Sequence, residues 1–201
     1  MGDQIGYGYT QELTEESMMS AATTAASLCD MTATVVNSSF SRLQPGNYYP
    51  VPDGFDGIPA AMKLPMLQQM NEKCFSQSPE IVKVNAGFQS STKRILIVSS
   101  DGIMAEDLIP GGFLYSSVVA ERNGRREQSF HNLGGRRDIS FYTGDVIDEI
   151  ASKSVGDALK LFDAIQPPAG EMPVVLGPGI TGILLHEAIG HGMEADFNRK
   201  K

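Results

Sequence analysis

The amino-acid sequence predicts an α+β fold in which an antiparallel or mixed sheet meander is flanked by helices. Strand-forming residues recur in consecutive runs between residues 81 and 132, and Asn123-Gly124 in that stretch is a strong hairpin signal. Apolar residues at helical spacing lie on both sides of these runs. Helices separated by runs of antiparallel strands are typical of an α+β domain.

Length and composition place the chain among ordinary globular proteins. Its 201 residues suit one domain, or one domain and a small part of another. A net charge of −8 argues against a nucleic-acid partner, because phosphate binding needs a basic surface. No apolar run is long enough to span a bilayer and no secretory signal opens the sequence, so no membrane partner is expected. Cys29 and Cys74 lie outside any paired motif and are expected to be reduced and buried.

The first helix is predicted to be capped by Thr14 and to run to about Cys29. Residues 5–9 before it alternate large side chains with glycine, like the end of a strand that needs earlier partners. Residues 30–58 are punctuated by Ser, Asn, Gly and Pro. They predict a long surface loop with one short strand at residues 34–36.

The second helix is predicted to begin at Pro65 and to end near Phe75. Pro59 could open this helix at its first turn, where a proline is well tolerated. Pro65 would then lie inside the helix and remove one of its hydrogen bonds, which favours the later start.

Four strands are predicted in the middle of the chain. Residues 81–88 and 94–98 are expected to form two strands joined by a short polar turn. Residues 113–120 form the third predicted strand, and residues 128–132 pair back on it as the fourth. His131 is a lone histidine on that last strand, where a structural or surface position is expected.

The remaining elements lead towards a histidine-rich helix. Thr143 or Asp145 is predicted to cap a helix that ends near Phe162, since its apolar residues share one face. Residues 173–176 predict a short apolar strand. A Gly-Pro-Gly turn then leads into the last helix, predicted over residues 180–193.

The last helix carries the residues that suggest chemistry. His186-Glu187 is followed by His191, and two of the chain's 3 histidines thus lie within a short apolar stretch. Imidazole nitrogen is a good zinc ligand, and a hydrolytic zinc site leaves one position open for water. A carboxylate beside a ligand can take a proton from that water. The alternative is a coincidence of residue types without metal.

The spacing of the two histidines is unusual, because they are five positions apart. In a regular α-helix, residues i and i+5 lie about 140° apart around the axis, so their rings would not meet at one ion. A π-bulge widens a helix by one residue and is common at functional sites. We therefore predict that the helix is widened between Ala188 and His191, with Gly190 making the distortion sterically easy.

These residues resemble the catalytic helix of the TldD/PmbA family. The resemblance is carried by Gly177-Pro-Gly, His186-Glu-Ala, Gly190-His-Gly and Glu194-Ala-Asp-Phe197, and more weakly by Gly6-Tyr-Gly-Tyr-Thr near the start. It implies a cytoplasmic TldD-type metallopeptidase that cleaves flexible or unfolded peptides. By residue match, His186 and His191 would bind zinc and Glu187 would act as the general base. Such proteins act as homodimers or as heterodimers with a PmbA-type subunit.

The resemblance also implies a domain organisation. Residues 1–165 would form part of the family's N-terminal α+β domain, and residues 166–201 would complete that domain with a strand and the motif helix. Members of the family are much longer than this chain. We therefore expect a fragment that lacks the start of the N-terminal domain and the whole C-terminal domain.

In the family, the third zinc ligand is a cysteine of the C-terminal domain. Cys29 and Cys74 do not match that position. Glu194 and Asp196 are close enough to be considered as substitute ligands, but a structural role is the preferred prediction for both. Two hypotheses stay open: a zinc metallopeptidase that is active when complete or complemented, and a non-catalytic peptide-binding or dimerisation module.

Overall fold

The computed structural model of the chain describes residues 4–29, 39–43, 46, 48–50 and 54–199. Its helices are α1 (Glu15–Ser27), α2 (Ala60–Gln77), α3 (Gly144–Lys160), α4 (Thr181–Leu185) and α5 (Ala195–Arg199), and its strands are β1 (Ser41–Leu43), β2 (Ile81–Val98), β3 (Ile103–Arg122) and β4 (Arg125–Gly135). The chain divides into two units, Met1–Phe162 and Asp163–Lys201. The expectation that residues 166–201 complete the first domain stays a prediction.

Helix α1 begins as its sequence predicts. Thr14 is the N-cap, and its side chain accepts a hydrogen bond from the backbone N–H of Ser17. The strand-like prediction for residues 5–9 is wrong, because this segment has no strand structure and lies against α1 instead. A Cβ on Gly6 would stand 1.8 Å from the carbonyl oxygen of Ala25. The glycines therefore allow a close approach of two backbone segments.

The long loop before α2 contains one strand in its described part. That strand is β1, and the strand predicted at residues 34–36 lies outside the described residues. Helix α2 starts directly after Pro59, so the predicted start at Pro65 is wrong. Pro65 does remove one helical hydrogen bond. Burial of Met70 and Cys74 on the same helix offsets this loss, since tertiary packing supplies most helical stability in proteins.

The sheet is mixed, with β3 at its centre. Strands β2 and β4 pair with β3 in antiparallel fashion, and β1 pairs with it in parallel. Asn123 and Gly124 both have positive φ, which is the hairpin turn that their sequence predicts. The two strands predicted at residues 81–88 and 94–98 are one strand, because the polar residues between them stay in register with β3.

The core lies between one face of the sheet and the helices α2 and α3. Alternate residues of β3 point into it, as the two-residue period of a strand requires. Helix α3 contributes its buried stripe at the predicted helical spacing. The largest fully buried side chains are Met70, Leu114, Ile147, Ile150, Val118 and Val155. Thr143 is the N-cap of α3, as one of the two predicted candidates, but its side chain makes no capping hydrogen bond.

The two cysteines are free thiols. Cys74 is buried as predicted, with its Sγ 3.4 Å from the Oγ of Ser116, and burial raises the pKa of this thiol. Cys29 is only half-buried. Neither cysteine belongs to the residues that could hold a metal in the described chain.

His131 takes a structural position, half-buried on β4 opposite Ser116. Its Nε2 makes no hydrogen bond within the described part of the chain. Burial lowers the pKa of this imidazole, and Lys153 lowers it further, against the opposing effects of Glu149 and Asp157. The neutral ring is therefore favoured in the folded state.

The lowered pKa of His131 predicts a pH-dependent stability. As the pH falls below the ordinary pKa of 6.5, the unfolded chain binds a proton before the folded chain does, so the free energy of unfolding decreases. We expect His131→Gln to show a shallower decrease between about pH 6.5 and 5 than the parent chain. Urea unfolding at several pH values measures this, and equal slopes for both proteins would contradict it.

The second unit contains no strand in its described residues. The strand predicted at residues 173–176 is absent, and the side chains of Val174 and Val175 are exposed. A strand needs a neighbouring strand to satisfy its backbone groups, and this segment has none there. Among the described residues, no helix is both long and apolar enough to cross a bilayer.

Candidate metal centre

The motif helix changes its winding at the first histidine. Helix α4 is followed by a π-helical turn, His186–Gly190, and then by a 3₁₀ turn, His191–Met193. The backbone N–H of His191 donates to the carbonyl of His186, which is the five-residue bond of a π-helix. The predicted widening is confirmed, although it begins two residues earlier than Ala188.

The widened turn brings the two histidine rings together. Their centroids are 4.6 Å apart, with an angle of 66° between the ring planes. The possible ligand atoms of His186, Glu187 and His191 all lie within 4.8 Å of one another. In a regular α-helix the same two rings would point about 140° apart. The extra residue in the turn is therefore what makes them neighbours.

Glu187 lies on the same side of the helix as His191. Its Oε2 is 3.1 Å from the Nε2 of His191. All three side chains of the group are exposed. Two imidazole nitrogens and a carboxylate oxygen are donor types that zinc takes in proteins, and exposure leaves room for further ligands and for water. The residues present therefore fit a zinc ion.

Glu194 contacts the other nitrogen of His191. The distance from Nδ1 to its Oε1 is 2.8 Å. This position differs from that of a substitute metal ligand, and neither Glu194 nor Asp196 belongs to the group of ligand atoms that converge. The residue pattern did not predict this contact. The i,i+3 spacing from His191 to Glu194 on a helical turn is the signal that could have revealed it.

Gly190 contributes space rather than backbone freedom. Its φ of −59° and ψ of −45° are ordinary helical values, so the predicted steric ease does not come from an unusual backbone conformation. A Cβ at this position would stand 3.2 Å from the Nδ1 of His186. That separation is shorter than an ordinary carbon contact, so the ring of His186 depends on the missing side chain.

We expect Gly190→Ala to displace the His186 ring and to weaken zinc binding about tenfold, which corresponds to roughly 1.4 kcal/mol. Gly192→Ala is the matched control, because a Cβ there meets no atom within 4 Å. Zinc titration by calorimetry compares the dissociation constants. Equal affinities for the two variants would show that the space at Gly190 is not needed.

One family model matches more than half of the chain. Residues 53–162 match the family model described as the PmbA/TldA metallopeptidase central domain. That description differs from the N-terminal domain expected for residues 1–165. The assignment of the other residues stays a prediction.

Several curated relatives are similar in sequence. The "Metalloprotease TldD homolog" of Haemophilus influenzae is 31% identical over 207 residues, an alignment that covers 100% of this chain and 43% of the relative. The "Zinc metalloprotease TldD homolog" of Saccharolobus solfataricus is 40% identical over 73 residues, covering 26% of this chain and 16% of the relative. The chain thus spans less than half the length of these relatives.

One solved structure shares the fold. It comes from Thermotoga maritima MSB8, and its description proposes a modulator of a DNA gyrase. The TM-score is 0.57 at 17% sequence identity, and the match covers 85% of this chain and 38% of the other. At this identity the similarity supports the α+β fold and nothing about activity.

Proposed function

Since the chain belongs to the PmbA/TldD metallopeptidase family, we propose that it carries part of a zinc peptidase site, with His186 and His191 as zinc ligands and Glu187 as the general base. One observation carries the proposal. The π turn brings the ligand atoms of these three residues within 4.8 Å of one another, although their spacing in the sequence would separate them on a regular helix.

The donor set supports zinc. Zinc accepts imidazole nitrogen, and when bound in a peptidase it polarises a carbonyl group and acidifies water. His186 and His191 would each hold the ion through a ring nitrogen. Glu187 adjoins a ligand, so its carboxylate can take up a proton from water and later return it to the leaving amine.

Two histidines are fewer ligands than a catalytic zinc site uses, since such sites have three protein ligands. The family resemblance assigns the third to a cysteine of the C-terminal domain. We therefore propose that this chain alone binds zinc weakly and that full activity needs the complementary part of a TldD-type protein. Flexible or unfolded peptides as substrates, a cytoplasmic location and dimers with a second copy or a PmbA-type subunit belong to the same proposal, and they rest on family membership.

A second candidate is a non-catalytic peptide-binding or dimerisation module. The motif helix favours it in one respect, because its apolar side chains are exposed. They include Ile183, Leu184, Leu185, Ile189, Met193 and Phe197. Exposed apolar side chains in one stretch are typical of surfaces that another segment or subunit covers.

The two candidates are separated by zinc content and assembly. The chain is purified without chelator, dialysed against zinc and then measured for bound metal and for oligomeric state. Binding that saturates at one zinc ion per chain supports the peptidase site. A folded dimer that takes up no zinc supports the module and excludes the metal site.

A further inference from the structure

Glu194 is held in place at both ends of its backbone. Its N–H donates to the carbonyl of His191 at 3.2 Å, which closes the 3₁₀ turn. Its own carbonyl accepts from the backbone N–H groups of Phe197 and Asn198, and from the side-chain amide of Asn198 at 3.1 Å. From this fixed backbone, the side chain places its carboxylate 2.8 Å from the Nδ1 of His191.

An ionised carboxylate only accepts hydrogen bonds, and two carboxylates face the His191 ring. Glu194 lies 2.8 Å from Nδ1, nearer than Glu187 at 3.1 Å from Nε2. The shorter contact favours a neutral ring that carries its proton on Nδ1 and donates it to Glu194. The Nε2 atom then keeps its lone pair. That atom lies 3.1 Å from Glu187 and belongs to the group that converges with His186.

We propose that Glu194 is a positioning residue that fixes the tautomer and orientation of His191, so that Nε2 is the nitrogen offered to the metal. Ligating histidines commonly donate their second ring N–H to a carboxylate, which also makes the ligand nitrogen more basic. This role of Glu194 rests on the proposed zinc site, whereas the contact between Glu194 and His191 does not depend on a metal.

The contact also excludes direct ligation as the role of Glu194 in this arrangement. Its Oε1 is engaged by Nδ1, on the side of the ring away from the nitrogen that meets Glu187. A carboxylate in that position acts on the ion only through the imidazole.

The first test reads the His191 tautomer in the metal-free protein. Nitrogen-15 NMR of the neutral ring, recorded at alkaline pH, distinguishes the two tautomers. We expect the parent chain to show the Nδ1–H form. In Glu194→Ala we expect the Nε2–H form, since Glu187 is then the remaining carboxylate acceptor. Asp196→Ala is the matched control, because it removes a nearby negative charge without touching His191, and it should leave the tautomer unchanged.

Glu194→Gln keeps an acceptor oxygen at the same position and provides a variant of nearly unchanged shape. Glu187 is again the remaining carboxylate acceptor, and a glutamine amide can donate to Nδ1 as well as accept from it, so the Nε2–H form is expected here as in Glu194→Ala, which separates the charge of Glu194 from its shape. An unchanged tautomer in Glu194→Ala, or the same change in Asp196→Ala, would overturn the positioning role.

The second test measures zinc affinity with the same variants. Loss of such a carboxylate costs about 10- to 100-fold in metal affinity, so Glu194→Ala should fall in that range while Asp196→Ala stays within about twofold of the parent.

His186→Ala serves as the reference for the metal site itself. If His186→Ala leaves zinc binding intact, the proposed zinc site fails, and the tautomer measurement still decides the role of Glu194. If Glu194→Ala abolishes zinc binding with the tautomer unchanged, Glu194 is a ligand and the positioning role is wrong.

Discussion

Replacing either His186 or His191 with alanine is expected to lower the zinc affinity of the chain at least about a hundredfold, or roughly 2.7 kcal/mol. Each variant removes one of two imidazole donors from a group whose ligand atoms lie within 4.8 Å of one another. Each single variant retains only one of the two imidazoles and has already lost the chelate. The loss of zinc affinity in the double variant should therefore be smaller than the sum of the two single losses. Zinc titration by calorimetry, with an independent measurement of bound metal, gives the affinities.

His131→Gln is the control for this series. It removes the third histidine of the chain, which lies on β4 and outside the converging group. We expect it to bind zinc as the parent does. Unchanged zinc affinity in either His186→Ala or His191→Ala would remove the basis for a metal site on this helix, while the fold assignment would stand.

Glu187→Gln is expected to keep zinc and to lose turnover. The amide has the shape of the carboxylate but cannot take up a proton, and general base catalysis typically contributes about 10²- to 10⁴-fold to a rate. The assay follows cleavage of a flexible peptide by the chain complemented with the C-terminal half of a TldD-type relative. A drop in the rate constant of that order, with zinc affinity changed little, is the expected result.

The matched control is Glu171→Gln, which makes the same chemical change at an exposed acid of the same unit. It should leave turnover unchanged. Full activity in Glu187→Gln would show that another group takes the proton. A parallel loss of zinc would instead assign Glu187 a role as ligand, since its carboxylate lies among the converging atoms.

Local patterns in the sequence predicted the elements whose signals are self-contained. Thr14 caps α1 because its own side chain reaches the N–H of Ser17, and Asn123-Gly124 forms a turn because both residues tolerate positive φ. The widened motif helix followed from a geometric argument of the same kind. Two rings five positions apart meet only if the helix gains a residue, and the π turn supplies it.

The predicted bounds of helices and strands were wrong where contacts with residues distant in the sequence outweighed the local preference of the backbone. Pro65 lies inside α2 because the helix packs its other residues into the core. The polar residues between 88 and 94 continue β2 because a long neighbouring strand satisfies their backbone groups. The strand predicted at residues 173–176 is absent for the opposite reason, since its apolar side chains lack a neighbouring strand there.

The sequence by itself determined the α+β class, the family and the identity of His186, Glu187 and His191 as candidates, because each depends on residue type and spacing alone. Only the tertiary structure decided the reason for Gly190 and the partner of His191. Both depend on atoms that a helical turn brings within about 3 Å, where side-chain direction rather than order along the chain sets the contact.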